Sequence, residues 1–202
     1  MGNPVAALDA ETVAAAAELH ILDANGHKVL FGSVYEDQKT ILVFIRHFFC
    51  GNCQQYVTQL ASVPQDAVSQ AGVKVVVVGC GGWQPIKEYA ETTGFRGEIY
   101  ADPSRKLYHA LGMTTETLAT TPAGQPRRSY LTSSVLANAL RSIWTGPMKN
   151  PTLIGKQGSL SQLGGDFVFG PGNQCSFAHR MQHTEDHIEV EDLMRSAGVA
   201  YS

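Results

Sequence analysis

The stretch ILVFIRHFFCGNCQQYV, residues 41–57, joins three signals in one short segment. With Thr40 in front, it opens on TILVFIR (residues 40–46), an unbroken run of β-branched and aromatic residues. Such a run predicts a strand covered on both faces, because a strand with one wet face alternates apolar and polar side chains. Residues 54–62 read as a helix, interrupted by Pro64. Between them lie Cys50 and Cys53, spaced as CxxC. Cys50 precedes the helix and Cys53 falls in its first turn. A helix N-terminus presents unpaired N–H groups and the positive end of the helix dipole, and both favour thiolate over thiol. Arg46 and His47, close in sequence, can add positive charge. A cysteine pair between strand and helix can attack a disulfide or a peroxide and then close on itself. Cys50 is expected to be the more exposed of the two and Cys53 the more shielded.

Working outward, residues 9–18 are alanine-rich and read as a short helix. Two apolar runs flank Asn25-Gly26, a hairpin signal. Downstream, VKVVVVG (residues 73–79) is a second buried strand. A helix over 83–93 follows, with Pro85 in its first turn. GEIYADP (97–103) carries a short strand, and residues 104–111 a short helix closed by Gly112. Residues 114–165, rich in Gly, Pro, Ser and Thr, are expected to be surface loops around a helix at 133–144. DFVFGPGNQCSFA (166–178) reads as a hairpin about Gly-Pro-Gly, and residues 186–196 as a closing helix. This order predicts an α/β, thioredoxin-like fold: a central mixed sheet flanked by helices, with an N-terminal hairpin extension and a long insertion at 114–165 before the last hairpin. The 202 residues suit one domain.

Composition excludes several classes. The net charge of −3 comes with 15 scattered basic residues, of which only Arg105–Lys106 and Arg127–Arg128 adjoin. That is no nucleic-acid footprint. No apolar run approaches the roughly 20 residues that span a bilayer. The N-terminus lacks the basic region of a signal peptide, so a cytoplasmic location is expected. Four cysteines are too few for a disulfide scaffold. In a reducing compartment CxxC points to redox or metal chemistry. The absence of a second CxxC disfavours zinc.

Other residues qualify as auxiliaries. Cys80 ends the 73–79 strand, where open α/β folds line their ligand crevice. Cys175 lies on the last hairpin and is either a third redox partner or a small buried residue. His183 and His187 are four apart, and read better as solvated histidines of a helix-cap region than as a metal site. Trp83 and Trp144 read as packing residues.

The strings FIRHFFCGNCQQYV, IYADPSRKLYHALGM, GGDFVFGPGNQCSFAHR and DHIEVEDLMRSAGV together resemble the peroxiredoxin-like proteins of the AhpC/TSA antioxidant group, in the branch that includes the eukaryotic peroxiredoxin-like 2 proteins and many fungal members. The resemblance runs over residues 19–199. It implies a thioredoxin fold, an antioxidant or thiol-disulfide role, and no organic cofactor. The partners implied are a disulfide or hydroperoxide substrate and a thiol reductant, the thioredoxin or glutathione system, with pairing into a homodimer by analogy of fold. The thioredoxin-like pattern makes Cys50 the attacker and Cys53 the resolver. The peroxiredoxin pattern PxxxTxxC makes Cys53 the peroxidatic residue, and its proline and threonine fall on Arg46 and Cys50. Near residues 162–165 the chain carries neither the proline of thioredoxins nor the arginine of peroxiredoxins. Two rival readings are a redox-silent thioredoxin-fold binding module, and a fold recruited to a biosynthetic pathway with residues 114–165 building a small-molecule pocket.

Overall fold

The central strand is β3 (Lys39–Ile45), whose side chains alternate between two apolar cores. Ile41, Val43 and Ile45 face one core, and Leu42 and Phe44 the other, so every residue after Lys39 is buried. A computed structural model describes residues 7–132 and 151–201. Within them, β3 pairs in parallel with β4 (Val73–Gly79), and β4 in parallel with β5 (Glu98–Ala101). β6 (Gly165–Gly170) runs antiparallel to β3, and β7 (Gln174–Arg180) antiparallel to β6. The N-terminal hairpin, β1 (His20–Leu22) and β2 (Lys28–Leu30), joins the far edge through β5. The mixed sheet therefore has the order β2-β1-β5-β4-β3-β6-β7. This is the thioredoxin-like sheet that the sequence predicts, with its hairpin extension.

One face carries α2 (Gly51–Ala61), α3 (Gln65–Gln70), α4 (Ile86–Thr93) and α6 (Val190–Ala197). The opposite face carries α1 (Ala10–Ala17) and α5 (Lys106–Ala110). Asp9 caps α1 by accepting the Thr12 N–H at 2.7 Å. In the first hairpin, Asp23 Oδ1 accepts the N–H groups of Asn25 and His27, and Gly26 takes φ +83°. Trp83 packs against Gly26, as a packing residue should.

Several boundaries differ from expectation for local reasons. Pro64 serves as the N-cap of α3, a helix that the sequence reading did not assign. Pro85 caps α4 from outside, so α4 starts at Ile86 and not at 83. The last helix starts at Val190 because Asp186 is held elsewhere: its carboxylate accepts from Gln182 N at 2.9 Å and from Arg128 at 3.0 Å. The helix expected at 133–144, with Trp144, lies outside the described residues.

The segment 114–165 leaves and re-enters the sheet at one place. Thr117 N donates to Ser161 O at 2.8 Å, and Leu163 N to Thr115 O at 3.2 Å, around a bridge between Glu116 and Gln162. It is not all surface loop, since Tyr130 and Leu131 are buried in the core beneath α2.

Candidate active site

β3 ends at Ile45, and residues 46–49 turn the chain into α2. Cys50 is the N-cap: its backbone is extended (φ −74°, ψ 111°), and its sulfur accepts the Cys53 N–H at 3.4 Å. The sulfur thus does the work usually given to a serine or aspartate oxygen at this position. Arg46 holds both cysteines. Its Nη1 donates to Cys50 Sγ at 3.4 Å, and its backbone N–H to Cys53 Sγ at 3.4 Å. Its Nη2 reaches across to the Leu160 carbonyl at 2.6 Å.

These contacts divide the pair electrostatically. The hydrogen bond from the Cys53 side chain, then the Arg46 charge, hold the Cys50 thiol well below its ordinary range despite burial. Burial first, then the neighbouring Cys50, push Cys53 well above it. The two shifts run in opposite directions and favour the thiolate at Cys50 over Cys53. His47 does not join Arg46 as a cation: burial pushes its imidazole down to about 4, so it is neutral at pH 7. Its backbone still serves the turn, accepting the Cys50 N–H at 3.1 Å.

Cys50 is the more accessible of the two, as expected, yet both are buried. Cys50 is 4% accessible and Cys53 is 0%. A strap, residues 155–160, is tied to the turn. Phe48 N donates to Gln157 O at 3.1 Å and Gly82 N to Lys156 O at 2.8 Å, while Leu160 O takes Arg46. The tip of the Phe48 ring abuts Gly79, where any side chain would overlap it.

The remaining sulfurs separate. Cys80 lies within reach of the site, but as a support: its thiol, pushed up to about 11 by burial, donates to the Arg46 carbonyl at 2.7 Å. Cys175 packs against the core on the opposite face of the sheet, and its thiol donates to Phe177 O at 3.1 Å. The structure does not bring it to the CxxC pair. His183 and His187 are not solvated helix-cap residues. Both are buried and lie before α6. Among the described residues no three His, Cys, Asp or Glu side chains gather as a metal site.

Sequence reasoning missed two groups. Tyr89, on the inner face of α4, sets its ring edge-on against Phe48 at 5.5 Å. Its place three residues after Ile86 marks it as inward-facing, but not what it faces. The second group is a buried dyad beside α2. Asp166 Oδ1 accepts from His187 Nδ1 at 2.9 Å and its Oδ2 from Ile188 N at 3.0 Å. The imidazole stacks on Tyr56 at 4.3 Å, and the Tyr130 hydroxyl accepts the His187 N–H. An acid inside the apolar run GGDFVFG was the available signal.

The chain matches the family described as AhpC/TSA antioxidant enzyme over residues 59–183. It is 35% identical to Peroxiredoxin-like 2C of Mus musculus, over 98% of this chain and 82% of that protein. The chain belongs to the AhpC/TSA antioxidant family, on the peroxiredoxin-like 2 side. Among solved structures, this AhpC/TSA chain is similar to Peroxidoxin BcpB from Mycobacterium tuberculosis, with a TM-score of 0.59 at 10% identity over 91% of this chain and 94% of that one. A cysteine-to-serine mutant of Peroxiredoxin 6 from Arenicola marina gives a TM-score of 0.59 at 15% identity, covering 90% of this chain and 69% of that one. These two likenesses establish the fold. The family match begins after Cys53, so the case for this AhpC/TSA protein's cysteine pair rests on its own geometry. No helix among the described residues is long and apolar enough to cross a membrane.

Proposed function

We propose that this protein is a thiol-dependent oxidoreductase in which Cys50 attacks and Cys53 resolves. The observation that carries the reading is the Arg46 guanidinium 3.4 Å from the Cys50 sulfur, which also caps α2. A cation and a helix N-terminus on one sulfur make it the nucleophile, because the thiolate is the attacking form. With a disulfide substrate, the Cys50 thiolate displaces one substrate sulfur as a thiolate and leaves a mixed disulfide. Cys53 passes its proton to that leaving group and attacks Cys50, closing the Cys50–Cys53 bond and releasing the second substrate sulfur. With a hydroperoxide, the sulfur takes the distal oxygen and the O–O bond breaks. The alkoxide leaves with the Cys53 proton, and Cys53 then displaces hydroxide from the Cys50 sulfenic acid. Either route ends in the same disulfide, which a thioredoxin-type dithiol or two glutathione molecules reduce. A reducing compartment such as the cytoplasm suits the cycle.

Trapping tests the order of attack. With a disulfide substrate, the Cys53→Ser protein accumulates a mixed disulfide on Cys50, read by intact mass, while Cys50→Ser accumulates none. An adduct on Cys53 in the Cys50→Ser protein at the wild-type rate reverses the roles. Undiminished biological activity of the double serine variant leaves a redox-silent binding module as the reading.

A further inference from the structure

Buried polar atoms without a partner are rare in folded proteins, and each calls for a reason. Among the described residues, four of them gather at the CxxC turn: Arg46 Nε, His47 Nδ1, Gln54 Oε1 and the Tyr89 hydroxyl. The first three belong to the turn and its helix. Tyr89 comes from α4, 2% accessible, with its ring against Phe48. Burial first, then the nearby charges of Cys53 and Cys50, push its phenol well above the ordinary range, so the hydroxyl keeps its proton and is a donor. Both cysteines lie close enough to act on it, and neither sulfur is bonded to it.

In the reduced site this hydroxyl is bonded to no acceptor, Gln54 Oε1 included. Cys50 Sγ already takes Cys53 N–H and Arg46 Nη1, and Cys53 Sγ takes Arg46 N–H. One acceptor does arise during turnover with a hydroperoxide: the oxygen transferred to sulfur. We infer that Tyr89 is a positioning residue whose hydroxyl donates to that oxygen, alongside the free Arg46 Nε–H, and holds it until Cys53 closes the disulfide. The inference rests on the thiol chemistry proposed above and adds to it an oxygen-bearing intermediate. Bond-making is unchanged: sulfur gains the distal oxygen, the O–O bond breaks, the alcohol departs with the Cys53 proton, and Tyr89 keeps its own proton throughout. A route through a disulfide substrate puts no oxygen at the site, so it makes no use of the hydroxyl.

That difference supplies the test. Tyr89→Phe removes one oxygen and leaves the ring on Phe48. Single-turnover oxidation of wild-type and variant protein is measured with hydrogen peroxide and with a small aromatic disulfide, and thermal melting of both reduced proteins is recorded. The expected result is a roughly tenfold slower reaction with peroxide, the size of one lost hydrogen bond in a transition state. The disulfide rate and the pH midpoint of Cys50 alkylation stay within twofold, and the melting temperature is unchanged or higher, because an unpartnered hydroxyl has gone from the interior. An unchanged peroxide rate overturns the role. Equal losses with both oxidants, or a melting point several degrees lower, make Tyr89 structural and overturn it as well. Wild-type protein that reacts with the disulfide and not with peroxide overturns the Tyr89 role alone. Wild-type protein that reacts with neither overturns the thiol chemistry itself.

Discussion

Arg46 and Cys50 are joined through a single guanidinium nitrogen, at 3.4 Å, inside a site from which water is almost wholly excluded. In so dry a place a cation acts on its neighbour with little screening. The same side chain is anchored by the Leu160 carbonyl, so its charge cannot swing away.

Replacing Arg46 by Met keeps the bulk and removes the charge. The pH midpoint for alkylation of Cys50 by iodoacetamide should rise by roughly 1–3 pH units, the size of an opposite charge at contact. Lysine at this position should restore part of that, since it brings the charge without the second hydrogen bond to Leu160. A midpoint unchanged in Arg46→Met assigns the acidity of Cys50 to the helix terminus and Cys53 alone.

Stability should follow pH in a way that the redox state controls. Cys50 has a lowered folded value, so its contribution is fully present above the free-thiol value of about 8.5 and is lost as pH falls through the folded value. Cys53 has a raised one, so folding loses stability as pH climbs past about 8.5. The reduced protein, compared with its Cys50–Cys53 disulfide form in urea titrations, should be best placed near that value. His47 adds an acid limb in both forms: its folded value of about 4 is below the ordinary one of about 6.5, so stability falls as pH drops between them. His47→Asn should flatten that limb. A reduced-minus-oxidised difference that is flat from about pH 6 to about pH 10 contradicts the assignment of the thiolate.

Cys80 and Cys175 should behave unlike the pair. Cys175→Ser, on the far face of the sheet, should leave single-turnover oxidation within twofold of wild type. Cys80→Ala deletes the donor to the Arg46 carbonyl and should destabilise the fold by about 1–3 kcal/mol, the range for a buried acceptor left unpaired. Peptide mapping of oxidised protein should find neither in a disulfide with Cys50. A Cys50–Cys80 crosslink as the main product would falsify the role given to Cys53.

Gly79→Ala places a methyl group in overlap with the tip of the Phe48 ring. The ring must lift, and with it the turn that carries Cys50. A loss of about 1–3 kcal/mol is expected in chemical denaturation, as for other overpacked cores. Oxidation of Cys50 should change with it. A variant with wild-type stability and rate shows that the turn adjusts freely.

The fold was legible because its deciding elements are extreme. TILVFIR and VKVVVVG are too uniformly apolar for anything but strands covered on both sides, and Cys50 sits where β3 hands over to α2. The pairing of Arg46 with Cys50 was within reach, being four residues apart in one turn. Burial of Cys50 was not, because the turn that carries it is tied to residues more than a hundred positions away in a stretch rich in Gly and Ser. His47 misled for a related reason: proximity in sequence suggests a charge, and only the surrounding apolar packing shows that the charge is suppressed. The Asp166–His187 dyad joins two segments that no local pattern connects, and the short helix α3 hides behind the proline that seemed only to end its predecessor.

The tie between residues 155–160 and the turn that carries Cys50 should set a kinetic ceiling for bulky oxidants. For an oxidant too bulky to pass the strap, the observed rate should not exceed the frequency with which residues 155–160 part from the turn, however acidic the thiol. Oxidants too large to slip past the closed strap should then converge on one limiting first-order rate, independent of their own electrophilicity, while the smallest continue to gain speed with concentration. Electrophiles of graded bulk would mark where that changeover lies and so measure the width of the opening. Weakening the Arg46–Leu160 anchor would raise the limit for the bulky compounds while lowering the intrinsic reactivity of the sulfur. Access and acidity, tied here to one guanidinium, are thereby set in opposition.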